Sequence, residues 1–310
     1  MITVSKIMNS AAQKLENATE TPEADSKKQP IQTQWEQQTA ADLDRAIPGC
    51  IDSIGLLSGP ANTIMQLAFP GVGHGVMESR VESGSILLHP IKRARTTLSY
   101  LSVAFYGSTE EKLAYRRAIN AAHAQVTSTE SSPIKYRGLD PNLQLWVAAC
   151  LFWGHIDVYE KLRGPMSKAD QARFYEFAKP LGTTLQVRPD MWPKDIDAFW
   201  QYWNDTLDTL VIPDDVKNWL MQLVDLSFLS PLTHKTLGGF AKLMTSGFLH
   251  PKIRAQMGLP WGPKEERRFK RAIKLLALVN NPLPRRLRQL PGLALMWDFR
   301  RRLNKGLPLR

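Results

Sequence analysis

The chain has two cysteines in 310 residues, Cys50 and Cys150. Two thiols cannot build a disulfide scaffold or a cysteine-based zinc site, so both are read as buried and reduced. No run of about 18 or more apolar residues occurs, which leaves no spanning helix to expect. The opening MITVSKIMNSAAQKLENATE lacks the apolar core of a secretion signal. The expected setting is cytoplasmic, with any membrane contact peripheral. There is no P-loop, no nucleophile elbow and no His-Glu-x-x-His zinc helix. Alternating β-type runs are scarce; TTLQV at 183–187 is the best of them, and it is short. Acidic charge is also in short supply, 29 carboxylates against 40 lysines and arginines, for a net charge of +11. That balance suggests an anionic partner. The excess gathers near the C-terminus, in KEERRFKRAIK, PRRLRQL and DFRRRLNKGLPLR. Aromatic–basic interleaving and a recognition-helix pattern are both missing, so no specific nucleic-acid partner is expected.

What is present is helical periodicity. Residues 1–45 are rich in Gln, Glu, Ala, Thr and Lys, and are expected to be disordered or loosely attached. From residue 46 to 310 the pattern predicts a single all-α, multi-helix domain with a basic C-terminal region. DPNLQLWVAACLFWGHIDVYEKL opens on Asp140 as N-cap and Pro141 at the first helical position. Ser167 is an N-cap of the same kind, and Phe199, Tyr202, Trp203 and Leu207 fall on one side of a later helix. Breaks such as RGPMS, RPDMWP and NNPLPRR separate the helices.

Few stretches carry chemistry. GVGHG at 71–75 has alternating glycines but no strand-to-helix context for a dinucleotide. In HID, positions 155 and 157 point apart on a helix, so His155 reads as a buried hydrogen-bonded ring and Asp157 as a cap or a surface group. HPIKRARTTLSYLSVAFYG, read as a helix from about Lys92, puts Arg93, Thr96, Thr97, Tyr100, Leu101 and Ala104 on one face. That face begins cationic, passes two hydroxyls and ends apolar, and Arg95 turns away from it. An apolar body with one anionic end would match it. His123 sits on the next helix among Ala121, Ala122 and Ala124. Small neighbours leave room for a flat group against the ring, or for another helix that makes His123 an ordinary core residue. A haem would need such an imidazole, and arginine or hydroxyl partners for its propionates.

A resemblance gathers these pieces. SGPANTIMQLAFPGVGHGVMESR, RARTTLSYLSVAFYG, AINAAHAQV, GLDPNLQLWVAACL and YEKLRGPMSKADQARFYEFAKPLG resemble, in one order, one family. It is the DUF2236 family of mycophenolic-acid-pathway oxygenases and the rubber oxygenase (latex clearing protein) catalytic domain, and the likeness runs over roughly residues 50–300. The resemblance implies a globin-reminiscent helical fold that binds haem b and cleaves an isoprenoid carbon–carbon double bond with dioxygen. By motif position it implies His123 as the axial ligand of the haem iron, with Arg93 and Thr97 on the opposite side. A lysine that can take the distal iron position in the rubber oxygenase is replaced by Thr96, which cannot serve as an amine ligand. Glu78 stands about where that enzyme has a carboxylate implicated as a base, and Glu82 is its rival.

The function expected is therefore a haem b-dependent oxygenase on an apolar, elongated substrate. The alternative is a non-catalytic helical lipid or isoprenoid carrier that docks on anionic membranes. For the docking itself, residues 264–310 offer helices with an apolar and a cationic side. That apolar side could equally close the core.

Overall fold

In this computed structural model residues 40–81 and 85–309 are described. Helices α1 (Ala40–Ala46), α2 (Gly59–Leu67), α3 (Pro70–Met77), α4 (Pro90–Tyr106) and α5 (Thr109–His123) come first, with a 3₁₀ turn at Ser53–Ser58 ahead of α2. The long α6 (Pro141–Arg163) follows, then α7 (Lys168–Ala178), α8 (Pro180–Thr183), α9 (Ile196–Thr209) and α10 (Asp214–Asp225). The C-terminal part holds α11 (Pro231–Phe248), α12 (Pro251–Gln256), α13 (Pro263–Asn280), α14 (Arg285–Arg288) and α15 (Leu290–Asn304). The expected all-α class holds. Among the described residues there is no strand, only an isolated bridge between Thr127 and Arg137. TTLQV does not extend: Thr183 ends α8, and Thr183 and Thr184 are buried.

Seven of these helices open on proline, whose fixed φ and missing N–H suit the first helical position. The expected caps are in place, with Asp140 accepting from the Asn142 amide at 2.8 Å and Ser167 from that of Asp170 at 3.1 Å. A capping box links Ser108 and Glu111 at the start of α5. Each satisfies amides that a helix start leaves without partners.

α6 is the axis of the core. It is buried on nearly every face, from Trp146 through Phe152 to Leu162, as a helix surrounded by others must be. Trp146 stacks on Trp203 of α9 at 5.2 Å between ring centres, and Phe152 meets Phe199 edge-on at 4.7 Å. GVGHG is not a loop but most of α3. A Cβ at Gly73 would lie 2.8 Å from a Val216 methyl, so the glycine allows α3 and α10 to approach closely. That role excludes a phosphate cradle.

All described residues belong to one compact unit, Trp35–Arg310. Of the segment 1–45 expected to be loose, residues 1–39 lie outside the described residues. Residues 40–45 belong to α1, where Leu43 is fully buried and Asp44 accepts from the Gly49 amide. The packed domain thus starts by Ala40 rather than at residue 46. Both cysteines are buried and free, and burial raises the pKa of each thiol. Among the described residues no helix is long and apolar enough to cross a membrane.

Candidate functional site

A cavity of about 360 Å³ opens between the 49–63 stretch, α4, α6, the end of α10 and the start of α15. Its size suits a small ligand, for which pockets span roughly 300–1,000 Å³. α4 provides one wall. Pro90, Arg93, Thr97, Leu101 and Phe105 recur at helical spacing along that face. α6 provides the opposite wall with Leu151, Gly154, His155 and Val158. α10 ends at Leu226, in the left-handed conformation (φ 62°) that a β-carbon disfavours, and both Leu226 and Phe228 line the cavity.

Two charges meet this cavity, one buried and one half-buried. Asp52 is the one carboxylate in its wall and is fully engaged. It accepts from Arg163 at 2.6 Å, from Arg288 at 2.7 Å and from the Asn280 amide at 3.0 Å. Next to it Asp44 pairs with Arg285 at 3.2 Å. Gly49 makes the cluster possible. Its φ is 90°, and a Cβ there would lie 2.3 Å from Arg163 Nε. Arg93 is the other charge. Among the described residues it is the sole arginine or lysine lining the cavity. The residue is half-buried, and burial lowers its pKa, against a smaller opposing effect of Tyr115. Among the described residues its side chain has no hydrogen bond and no ion pair. A guanidinium stays charged in such a site, so the cavity holds a net positive charge without a counter-ion.

His155 is the cavity's imidazole. Its Nδ1 donates to the Leu151 carbonyl at 2.7 Å, and its ring meets Phe105 edge-on at 5.1 Å. Burial lowers its pKa, with the Leu151 hydrogen bond opposing. The ring is therefore neutral at neutral pH and leaves Nε2 as a bare acceptor.

The residues singled out in the sequence divide. Arg93 and Thr97 share the cavity wall as the helical phase requires. Thr96 does not reach it: its hydroxyl bonds the Lys92 carbonyl of its own helix, and its own carbonyl accepts from Tyr115. Tyr100 also turns away and donates to the Leu181 carbonyl. Of the face drawn from the sequence the cavity thus keeps Arg93, Thr97 and Leu101, and it extends instead to Ala94, Leu98 and Phe105. His123, the last residue of α5, is half-buried, with Nδ1 at 3.4 Å from Gln144 Nε2, and is absent from the cavity lining. Glu78 ends α3 and is a structural hub, accepting from Ser132, Tyr136 and His74. Glu82 lies outside the described residues. Asp157 neither caps nor floats free but pairs with Lys161 one turn on. His155 escaped the sequence reading as a site residue, since its packing and its cavity exposure are indistinguishable before the helices are assembled.

A haem b site asks for an imidazole nitrogen, cationic or hydroxyl partners for two carboxylates, and apolar walls. The cavity has all three kinds of group: the unpartnered Nε2 of His155, Arg93 with Thr97, and the leucine and phenylalanine lining. The donor set fits the group, although the histidine in the lining is not the one that the motif marks.

At the C-terminus, α13 and α15 use Phe269, Ile273, Met296 and Phe299 to close the core. Three neighbouring arginines there are engaged within the chain. Arg300 pairs with Glu111 at 2.7 Å, and Arg301 and Arg302 both reach Asp298.

Residues 51–278 match the family described as ER-bound oxygenase mpaB/B'/Rubber oxygenase, catalytic domain. Two mycobacterial proteins are similar: uncharacterized protein Mb2261 of Mycobacterium bovis and uncharacterized protein Rv2237 of Mycobacterium tuberculosis. Each is 45% identical over 246 residues, covering 79% of this chain and 96% of the relative. No solved structure matches the chain.

Proposed function

Because the chain belongs to the family of ER-bound oxygenase mpaB/B' and rubber oxygenase catalytic domains, we propose that it is an oxygenase. It joins dioxygen to an apolar small molecule held in the α4–α6 cavity. The observation that carries this reading is the cavity itself, apolar in most of its lining, with Arg93, Thr97 and His155 among its polar groups. Haem b is the proposed cofactor; bound, it would supply the iron chemistry that activates dioxygen. A globin-like wrapping of that haem by these helices is part of the same proposal. His123 is the ligand indicated by motif position, and His155 is the imidazole that the cavity favours. Arg93 and Thr97 orient polar groups, and the apolar lining excludes water from the reacting end of the substrate.

The test is reconstitution with haem b, read as a Soret band and as haem per chain, on the unaltered protein and on His123→Ala and His155→Ala. One haem per chain, lost in one variant and kept in the other, identifies the ligand. An unaltered protein that takes up no haem would remove the cofactor from the proposal.

A second reading, a carrier that binds without turnover and docks on anionic lipid, has one observation in its favour. Leu275, Leu278 and Val279 of α13 and Trp297 of α15 are each more than 60% exposed, with Lys274 and Arg271 close by in sequence. Docking predicts salt-sensitive binding to anionic vesicles and none to neutral ones. Binding that ignores lipid charge would remove it.

A further inference from the structure

A guanidinium half withdrawn from water and left without a partner is costly. Taking a charge out of water costs several kcal/mol unless an opposite charge or a full set of hydrogen bonds replaces the water. The protein meets this demand elsewhere on the same wall, where Asp52 carries Arg163 and Arg288. Among the described residues no carboxylate is left over for Arg93. Asp52 is the one acid lining the cavity and its oxygens are already taken. Other acids of the region are committed as well: Asp44 to Arg285, and Glu111 to Arg300 and the Ser108 amide. Arg93 also lies in the first turn of α4, a helix of 17 residues with no side-chain cap, so its positive end adds to the same corner. Beyond this corner the wall is apolar, through Leu98, Leu101 and Phe105.

We infer that Arg93 is the anchor for a carboxylate of the molecule that fills this cavity, so that the cavity takes an apolar body bearing one acid group. Thr97, one turn further along the same face, is placed to donate to the second carboxylate oxygen. The neutral His155 on the opposite wall accepts a hydroxyl or amide hydrogen if the ligand carries one. This inference rests on the cavity being the ligand compartment. It does not rest on haem or on oxygen chemistry. Two carboxylates could reach Arg93: that of an apolar acid, and a propionate of haem.

The experiment uses full-length protein without haem and compares a long-chain carboxylic acid with its methyl ester by calorimetric titration. A hydrogen-bonded charge pair predicts that the acid binds about 10- to 100-fold more tightly than the ester. Arg93→Met should abolish that preference, so that acid and ester bind alike, and should not lower the melting temperature. Arg93→Lys should keep part of the preference, and Arg95→Ala should keep all of it. Should Arg93→Met fail to fold, the acid-to-ester ratio of the unaltered protein and of Arg93→Lys decides. Equal binding of acid and ester overturns the inference while leaving the cavity reading intact. Binding of neither overturns both. A parallel titration with haem and haem dimethyl ester separates the sources. Equal retention of the two haems assigns Arg93 to the acid ligand, and preference for the free acid form assigns it to the propionate. A haem preference without any preference for the long-chain acid overturns the apolar-acid form of the inference.

Discussion

Two charges face the same cavity, and they are treated in opposite ways. Asp52 is held by two guanidiniums and a carboxamide, contributed by α6, by α14 and by the last residue of α13. Arg93, on α4, is held by none of the described residues. The first arrangement ties four segments of the chain together and has no valence left for a ligand. The second leaves a fixed charge waiting in an apolar chamber. A place in the cavity wall alone therefore does not mark a functional charge; a place there without a partner does.

The contrast is broken most violently at Asp52. Asp52→Ala leaves Arg163 and Arg288 buried without their acceptor, and should cost about 3–5 kcal/mol, read as a fall in the urea midpoint at constant slope. An unchanged midpoint would mean that water replaces the carboxylate. Arg93→Met should do the reverse, with stability held or raised, since an apolar chain of similar volume removes a charge that has no partner in the wall. A loss comparable to that of Asp52→Ala would show that Arg93 has a structural partner after all.

Glu78 sharpens the comparison through pH. Burial alone would raise its pKa, but hydrogen bonds from Ser132, Tyr136 and His74 outweigh it and hold the carboxyl below its ordinary value. A carboxylate depressed on folding contributes its stability fully above the ordinary glutamate value of about 4.3. The contribution fades as pH falls through the folded-state value. Melting temperature should thus fall with acidification more steeply in the unaltered protein than in Glu78→Gln. Parallel curves would remove Glu78 from the account. The smallest effect belongs to the surface: Arg300→Ala breaks an exposed pair with Glu111 and should cost less than about 1 kcal/mol, measured by the same urea titration.

How much of this was legible beforehand follows from sequence separation. The Asp140 and Ser167 caps, the proline starts and the Arg93–Thr97 stripe depend on neighbours within a turn or two, and the sequence displays them. The Asp52 cluster was invisible, because its partners lie 111, 228 and 236 residues away. Thr96 was placed on the wrong side because a helical face is broad, and only the packing of Tyr115 on its carbonyl fixes the edge of the stripe. His155 looked like an ordinary core ring, which it is on its Nδ1 side; the opening on its other side exists only once α4 and α6 are brought together. The loose N-terminal segment was drawn a few residues too long, since one turn of helix around Leu43 carries too little pattern to distinguish it from its polar surroundings.

The central claim, that the cavity is the chamber of an oxygenase and not a carrier's, is tested most directly with isotopically heavy dioxygen. Haem-loaded protein is incubated with an apolar unsaturated acid under the labelled gas, and the organic products are analysed by mass spectrometry. The account predicts shorter carbonyl products in which both new oxygens carry the label, formed in proportion to bound haem. Recovery of the acid intact and unlabelled, from protein that demonstrably bound it, would contradict the account and leave a binding protein in its place.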